Sequence, residues 1–208
     1  MSLARLLQLA SPTLPVGAYS YSGGLEAAIE AGAVKDAASA ERWIGDVLEF
    51  SVARMEAPML LRMMGNQKDW NEVFLASRET AELRAETVQM GYSLNRLFKD
   101  LGLGEVPVEE PSFPAAFAYA AAQWRIEPEA ALQAYLWAWI ENQVMAALKA
   151  VPLGQTDGQR MMLSLGNRIE PLVEKAQAMK DEDIGNFAPG LALLSSRHET
   201  QYSRLFRS

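Results

Sequence analysis

PEAALQAYLWAWIENQVMAALKAV, residues 128–151, is the stretch whose pattern decides the fold. Leu132, Tyr135, Leu136, Trp139, Ile140, Val144, Ala147, Leu148 and Val151 recur at i, i+3, i+4 and i+7, the period of an amphipathic helix and not of a strand. Pro128 opens the stretch at a first-turn position, where its missing N–H is no loss. At about 1.5 Å of rise per residue the helix would run roughly 30 Å, the length of a bundle's central rod. Gln133, Glu141, Asn142, Gln143 and Lys149 make it too polar to cross a bilayer.

Working outward, the same spacing recurs. Trp43, Ile44, Val47, Leu48, Val52 and Met55 trace one helical face that Asp36 or Ser39 can cap, with Pro58 predicted to interrupt it and Met59–Met64 to form a further short turn or two. Leu83, Thr87, Met90, Leu94, Leu97, Phe98 and Leu101 mark another helix from about Glu79, and Gly91 in its middle suggests a close helix crossing. Thr156 and Gln159 read as a capping box before Met161, Met162, Leu165, Ile169, Leu172 and Val173. Gly/Pro-rich joints fall at 12–24, 102–114, 152–158 and 181–189. No sustained alternation, internal repeat or low-complexity tract is present. The expectation is one all-α domain over residues 1–208, a bundle of roughly eight to ten helices with an N-terminal Pro/Gly-rich loop.

Composition narrows the function. The 208 residues hold 19 Lys+Arg against 26 Asp+Glu, a net charge of −7 that makes nucleic acid and anionic membrane poor partners. Cysteine is absent, which removes disulfides, thiolate catalysis and iron–sulfur clusters and suits a reducing cytosol. Histidine occurs once, at His198, so one chain offers no soft cage for zinc, copper or nickel, and no metal site or stably bound cofactor is expected. His198-Glu199 is half a zincin motif whose second ligand is missing. The opening residues carry no long apolar segment or cleavage signal, so the expectation is a soluble, cytoplasmic protein. P-loop, dinucleotide, G-x-S-x-G and S-x-x-K signatures are all missing, and the carboxylates Glu109-Glu110 and Asp181–Asp183 sit in polar loops as solvated charge. An enzyme is the weaker class.

Three segments carry more than a joint needs. The first, Ser11 to Glu26, combines Pro12, Pro15 and three glycines with Tyr19 and Tyr21, and either packs on the bundle or presents a surface. In the second, Lys149 to Arg160, Gln155, Gln159 and Arg160 stand at a helix start, where they brace the joint or reach a partner's phosphate, as GTPase-activating residues do. The third, Ser195 to Ser208, interleaves Tyr202, Leu205 and Phe206 with Arg197, Arg204 and Arg207 on an acidic chain. It either docks into its own bundle or meets a partner; the aromatic–arginine composition favours the partner.

These segments resemble the urease accessory protein UreF family. The family's S-P-x-L-P-V-G-x-[YF]-S-x-S-x-G-L-E is matched at Ser11, Pro12, Pro15, Gly17, Tyr19, Ser20, Ser22, Gly24, Leu25 and Glu26. Its [VL]-P-[LF]-G-Q motif corresponds to Val151–Gln155 with Gln159 following, and its closing R-H-E-T-Q-Y-S-R-L-F-R-S to Arg197–Ser208. Arg78–Arg84 is a fourth similar stretch, Gly23 is a minor departure, and the region Val52–Leu75 is shorter than in many members.

The resemblance implies an all-α, dimeric, non-enzymatic adaptor for nickel insertion into apo-urease, joining a scaffold protein (UreD, also called UreH) to the GTPase UreG, with nickel handled in transit by the complex. The alternative it offers is a regulator that stimulates or gates the GTPase in trans. Carried over residue by residue, Pro15, Gly17, Tyr19, Ser22, Leu25, Glu26, Lys149, Gln155, Gln159 and Arg160 would face the GTPase. Arg197, His198, Glu199, Gln201, Tyr202, Arg204, Leu205 and Phe206, within a docking segment over 188–208, would face the scaffold.

Overall fold

The apolar stripe of residues 128–151 folds as one helix, and other helices pack around it. The structure, a computed structural model, describes residues 3–208. In chain order the helices are α1 (Leu3–Ala10), α2 (Leu25–Glu30), α3 (Ala37–Val47), α4 (Ala57–Met63), α5 (Gln67–Ala76), α6 (Ala81–Asp100), α7 (Phe113–Gln123), α8 (Pro128–Ala150), α9 (Gln155–Gly166), α10 (Ile169–Ala178) and α11 (Pro189–His198). Short 3₁₀ turns occupy Ala18–Ser20 and Asp181–Asp183, and no strand occurs among the described residues. The all-α expectation holds.

Helix α8 is the central rod, touching α1, α2, α3, α4, α7, α9 and α10. Leu132, Leu136, Ile140 and Ala147 on its stripe are fully buried, and they belong to one connected apolar core. That contact supplies most of each helix's stability, since short helices are marginal alone. No helix among the described residues is long and apolar enough to cross a membrane.

Local chemistry departs from the sequence reading in three places. Pro58 does not interrupt its helix. Residues Leu48–Glu56 are π-helical and join α3 to α4 as one rod, with Pro58 in the first turn of α4. Proline lacks an N–H and crowds the carbonyl four residues back, here Arg54. That carbonyl accepts instead from the Gly185 amide at 3.2 Å, and the Phe50 carbonyl one turn earlier accepts from the Phe187 amide at 2.9 Å. The irregular stretch 184–188 is thereby laced along the π turns.

Gly91 does mark a close approach, but to the chain entering α7. A Cβ there would lie 2.1 Å from the Pro111 carbonyl oxygen and 2.6 Å from the Ser112 carbonyl carbon. Helix α9 starts earlier than the predicted box, with Gly154 as its N-cap: the Asp157 carboxylate accepts the Gly154 N–H at 3.2 Å, and glycine has no side chain to reciprocate. At α3 both predicted caps act together, since Asp36 accepts from the Ser39 amide at 2.8 Å while Ser39 Oγ accepts from the Asp36 amide at 3.1 Å.

Candidate functional site

Glu26, in the first turn of α2, is the hub at which two of the three predicted segments meet. Gly23 and Gly24 precede it with φ of +56° and +82°, a left-handed bend that side chains resist. A Cβ on Gly24 would also lie 2.8 Å from Leu191 Cδ1 of α11. The bend turns α2 inward and leaves Ser22, Leu25 and Glu26 buried.

The buried carboxylate of Glu26 is fully engaged. Its Oε1 accepts from the Leu205 amide at 2.7 Å; its Oε2 accepts from the Phe206 amide at 2.9 Å and faces His198 Nε2 at 3.1 Å. On the other side of the ring, His198 Nδ1 faces Glu82 Oε2 of α6 at 2.7 Å, and the second Glu82 oxygen accepts from Arg204 at 2.7 Å. His198 itself has no exposed surface. Farther along, the Arg207 amide donates to the Ser20 carbonyl at 2.8 Å and the Ser22 amide to the Ser208 carbonyl at 2.9 Å, while Ser22 Oγ also donates to that carbonyl. Lys149 Nζ reaches the Leu205 carbonyl at 3.3 Å and sits 4.3 Å from the centre of the Phe206 ring. Charge-assisted bonds to backbone amides and a cation over a ring are the stronger kinds of local contact.

The closing segment therefore lies against its own chain, covering Ser22 and Glu26. Of the eight residues expected to face the scaffold protein, His198 and Phe206 are buried here; Arg197, Glu199, Tyr202, Arg204 and Leu205 are exposed and Gln201 is half-buried. Tyr202 and Leu205 project outward at 105% and 57% exposure, and Leu193 on α11 is 64% exposed. Of the ten expected to face the GTPase, Ser22, Leu25 and Glu26 are buried, Gly17 is half-buried, and Pro15 and Tyr19 stay outside. Lys149 joins the closing segment. Gln155, Gln159 and Arg160 stand outside that assembly on the exposed first turns of α9, where Arg160 pairs with Asp157 at 3.3 Å.

Next to this assembly lies a cavity of about 230 Å³ between α1, residues 11–23, the π turns, α6 and α8. Its polar wall is a chain of groups the sequence reading did not single out as a site. Tyr135 donates to Glu56 at 2.5 Å, and Arg78 donates to the other Glu56 oxygen at 3.1 Å. Burial, then the Glu56 carboxylate, pushes the Tyr135 hydroxyl well above the ordinary phenol range, so it remains a donor. Glu86 accepts from Ser208 Oγ at 2.7 Å; burial outweighs that bond and, with Glu56 adding and Arg78 opposing, pushes its carboxyl up to about 7. The signal for these residues was present. Glu79, Glu82 and Glu86 are spaced three and four apart beside the stripe of Leu83, Thr87 and Met90, which sets acids at the edge of a buried face.

The UreF family model matches residues 34–166. That span omits the opening and closing segments, but full-length relatives cover both. The chain is 59% identical to the urease accessory protein UreF of Azoarcus sp. (strain BH72), with 100% of this chain and 96% of the relative aligned. It is 54% identical to the protein of the same name from Dechloromonas aromatica (strain RCB), over 100% of this chain and 98% of that one. Against the UreF of Janthinobacterium sp. (strain Marseille) the identity is 51%, with 100% and 98% covered. A family match over more than half of the chain and identities of this size leave one conclusion: the chain belongs to the UreF family of urease accessory proteins, which are not enzymes.

Proposed function

We propose that this protein is a cytoplasmic adaptor for nickel insertion into apo-urease, holding the scaffold protein UreD/UreH on one face and presenting the GTPase UreG on another, as a homodimer. The observation that carries the reading is the outer face of the closing segment. Tyr202 and Leu205 stand out into solvent, while the backbone that carries them is fixed through Glu26, Glu82 and Lys149, and Leu193 and Arg197 of α11 are exposed as well. Exposed aromatic and aliphatic side chains on a preordered backbone lose little conformational entropy on binding, and aromatic–arginine clusters form interface hot spots.

In this reading nickel passes through the complex without being held by this chain. The single imidazole is already engaged by two carboxylates, and the sequence contains no thiol to complete a soft cage. The test is co-purification with UreD/UreH: Tyr202→Ala combined with Leu205→Ala abolishes the complex while the helical spectrum is retained. Retention of the complex by that variant contradicts the docking assignment.

A second reading, a GTPase regulator acting in trans, is favoured by the exposure of Gln155, Gln159 and Arg160 at the start of α9. An arginine finger is worth about 10³-fold or more in hydrolysis. Arg160→Ala in a reconstituted assay therefore decides it: loss of stimulated hydrolysis supports this role, and an unchanged rate removes it.

A further inference from the structure

We infer that the cavity between α1, residues 11–23, the π turns, α6 and α8 is a binding site for a small organic ammonium ion, an amine in its charged form on an aromatic or aliphatic body. The inference goes beyond the adaptor reading and does not rest on it.

Helix winding shapes the wall. Residues Leu48–Glu56 are π-helical, and Val47, Ser51, Val52 and Glu56 all line the cavity. In an α-helix the nine steps from Val47 to Glu56 make about two and a half turns, which would set the two residues on opposite faces. The wider π winding, with bonds from i to i+5, closes those steps in about two turns and sets both on one face. Such turns are rare and recur at functional sites. This one delivers a carboxylate into an apolar space.

Charge then selects the ligand. Three acids line the cavity, Glu56, Glu86 and Glu141, against one cation, Arg78. Arg78 is committed to Glu56 at 3.1 Å, and Tyr135 donates to the other Glu56 oxygen. Glu86 and Glu141 form no ion pair among the described residues. The Ser208 hydroxyl donates to Glu86 Oε2 and leaves Oε1 without a partner there. Burial holds both carboxyls above the ordinary range, Glu86 at about 7, as befits acids that lack a counter-charge. A cation beside Glu86 supplies that charge, whereas an anion would meet three acids.

The remaining lining fits the body of the ligand. Phe113, Tyr135 and Trp139 bring aromatic rings, whose faces attract a cation, and Val52, Leu83 and Met90 are apolar. Walls of this kind favour an organic cation over a hydrated metal ion. A dry cavity of about 150 Å³ takes benzene, so about 230 Å³ has room for a ring with a two-carbon arm.

Titration calorimetry on the full chain near neutral pH tests this with three probes of similar shape: phenethylammonium, phenethyl alcohol and phenylacetate. The ammonium should bind saturably, one per chain; the alcohol should bind at least about tenfold more weakly, and phenylacetate should not bind. Amide shifts on titration should fall on Val52 and Thr87 at the cavity and leave the exposed Asp181–Asp183 turn unmoved. Glu86→Gln keeps the shape of the side chain and removes its charge, so it should lose the preference for the ammonium while binding the alcohol as the wild type does. Ala138→Leu, on the α8 wall, narrows the cavity and should weaken both. If a variant fails to fold, the three-probe comparison on the wild-type chain decides alone. Absence of saturable ammonium binding, equal affinity for ammonium and alcohol, an undiminished preference in Glu86→Gln, or shifts confined to exposed acids each overturns the inference.

Discussion

At the scale of single residues, much depends on side chains that the exterior does not show. Glu26→Ala removes the acceptor for the Leu205 and Phe206 amides and for His198 at once. Each bond to a charged group contributes about 1.5–3 kcal/mol and the contacts are coupled, so urea unfolding should show a loss of about 3 kcal/mol. Gly91→Ala offers a sharper contrast. Helix propensity alone favours alanine by about 1 kcal/mol. The new methyl, however, would fall 2.1 Å from a backbone oxygen that cannot move independently of α7, so the variant should be destabilised by about 2 kcal/mol or more. Glu86 makes stability depend on pH. Its carboxyl titrates near 7 in the folded chain against an ordinary 4.5, so the native state holds the extra proton between those limits. Its contribution is fully present below the unfolded value and is lost as pH rises through about 7, on the order of 3 kcal/mol in all. Denaturation curves across that window should show the decline, and Glu86→Gln should flatten it.

Elements were legible in the sequence where one force dominated. The stripe of α8 gave its period and, to within a residue, its ends, because burial against neighbours on several sides leaves little choice of face. The α3–α4 rod was not legible. Pro58 carries a local signal to stop, and what overrides it is a tertiary arrangement: π turns, with amides from residues more than a hundred positions later meeting the Arg54 and Phe50 carbonyls. Gly185 and Phe187 amides should consequently exchange slowly, although they lie in an irregular stretch, whereas rapid exchange at both would refute the lacing. The closing segment shows the same limit. Its residues announce an interface, but composition does not say whether its own chain or another forms the other side, and Glu26 and Glu82 are separated from their partners by more than a hundred residues. Phe206 and the backbone turn inward, and Tyr202 and Leu205 turn outward. Deleting Tyr202–Ser208 should therefore cost both binding and stability, lowering the melting temperature by several degrees. Tyr202→Ala with Leu205→Ala should change stability by no more than about 0.5 kcal/mol, because the truncated side chains are exposed.

Across the whole molecule, a helical frame fixes the positions of the opening and closing segments. The chain is acidic, holds one imidazole and no thiol, and belongs to a family of accessory proteins. Family membership was readable from three ordered motifs; the geometry that joins the first to the third through Glu26 was not, since it arises only when α2, α6 and α11 converge. The measurement that tests the account most directly is nickel incorporation into apo-urease in a reconstituted system with the scaffold protein, the GTPase and GTP all present. Adding the wild-type chain should raise metal content and urease activity well above the level without it, and adding the Tyr202→Ala, Leu205→Ala variant, folded but unable to dock, should leave both at the level without it. Equal nickel loading with wild type, with the variant and with no chain added would contradict the claim that this protein acts by bringing its partners together.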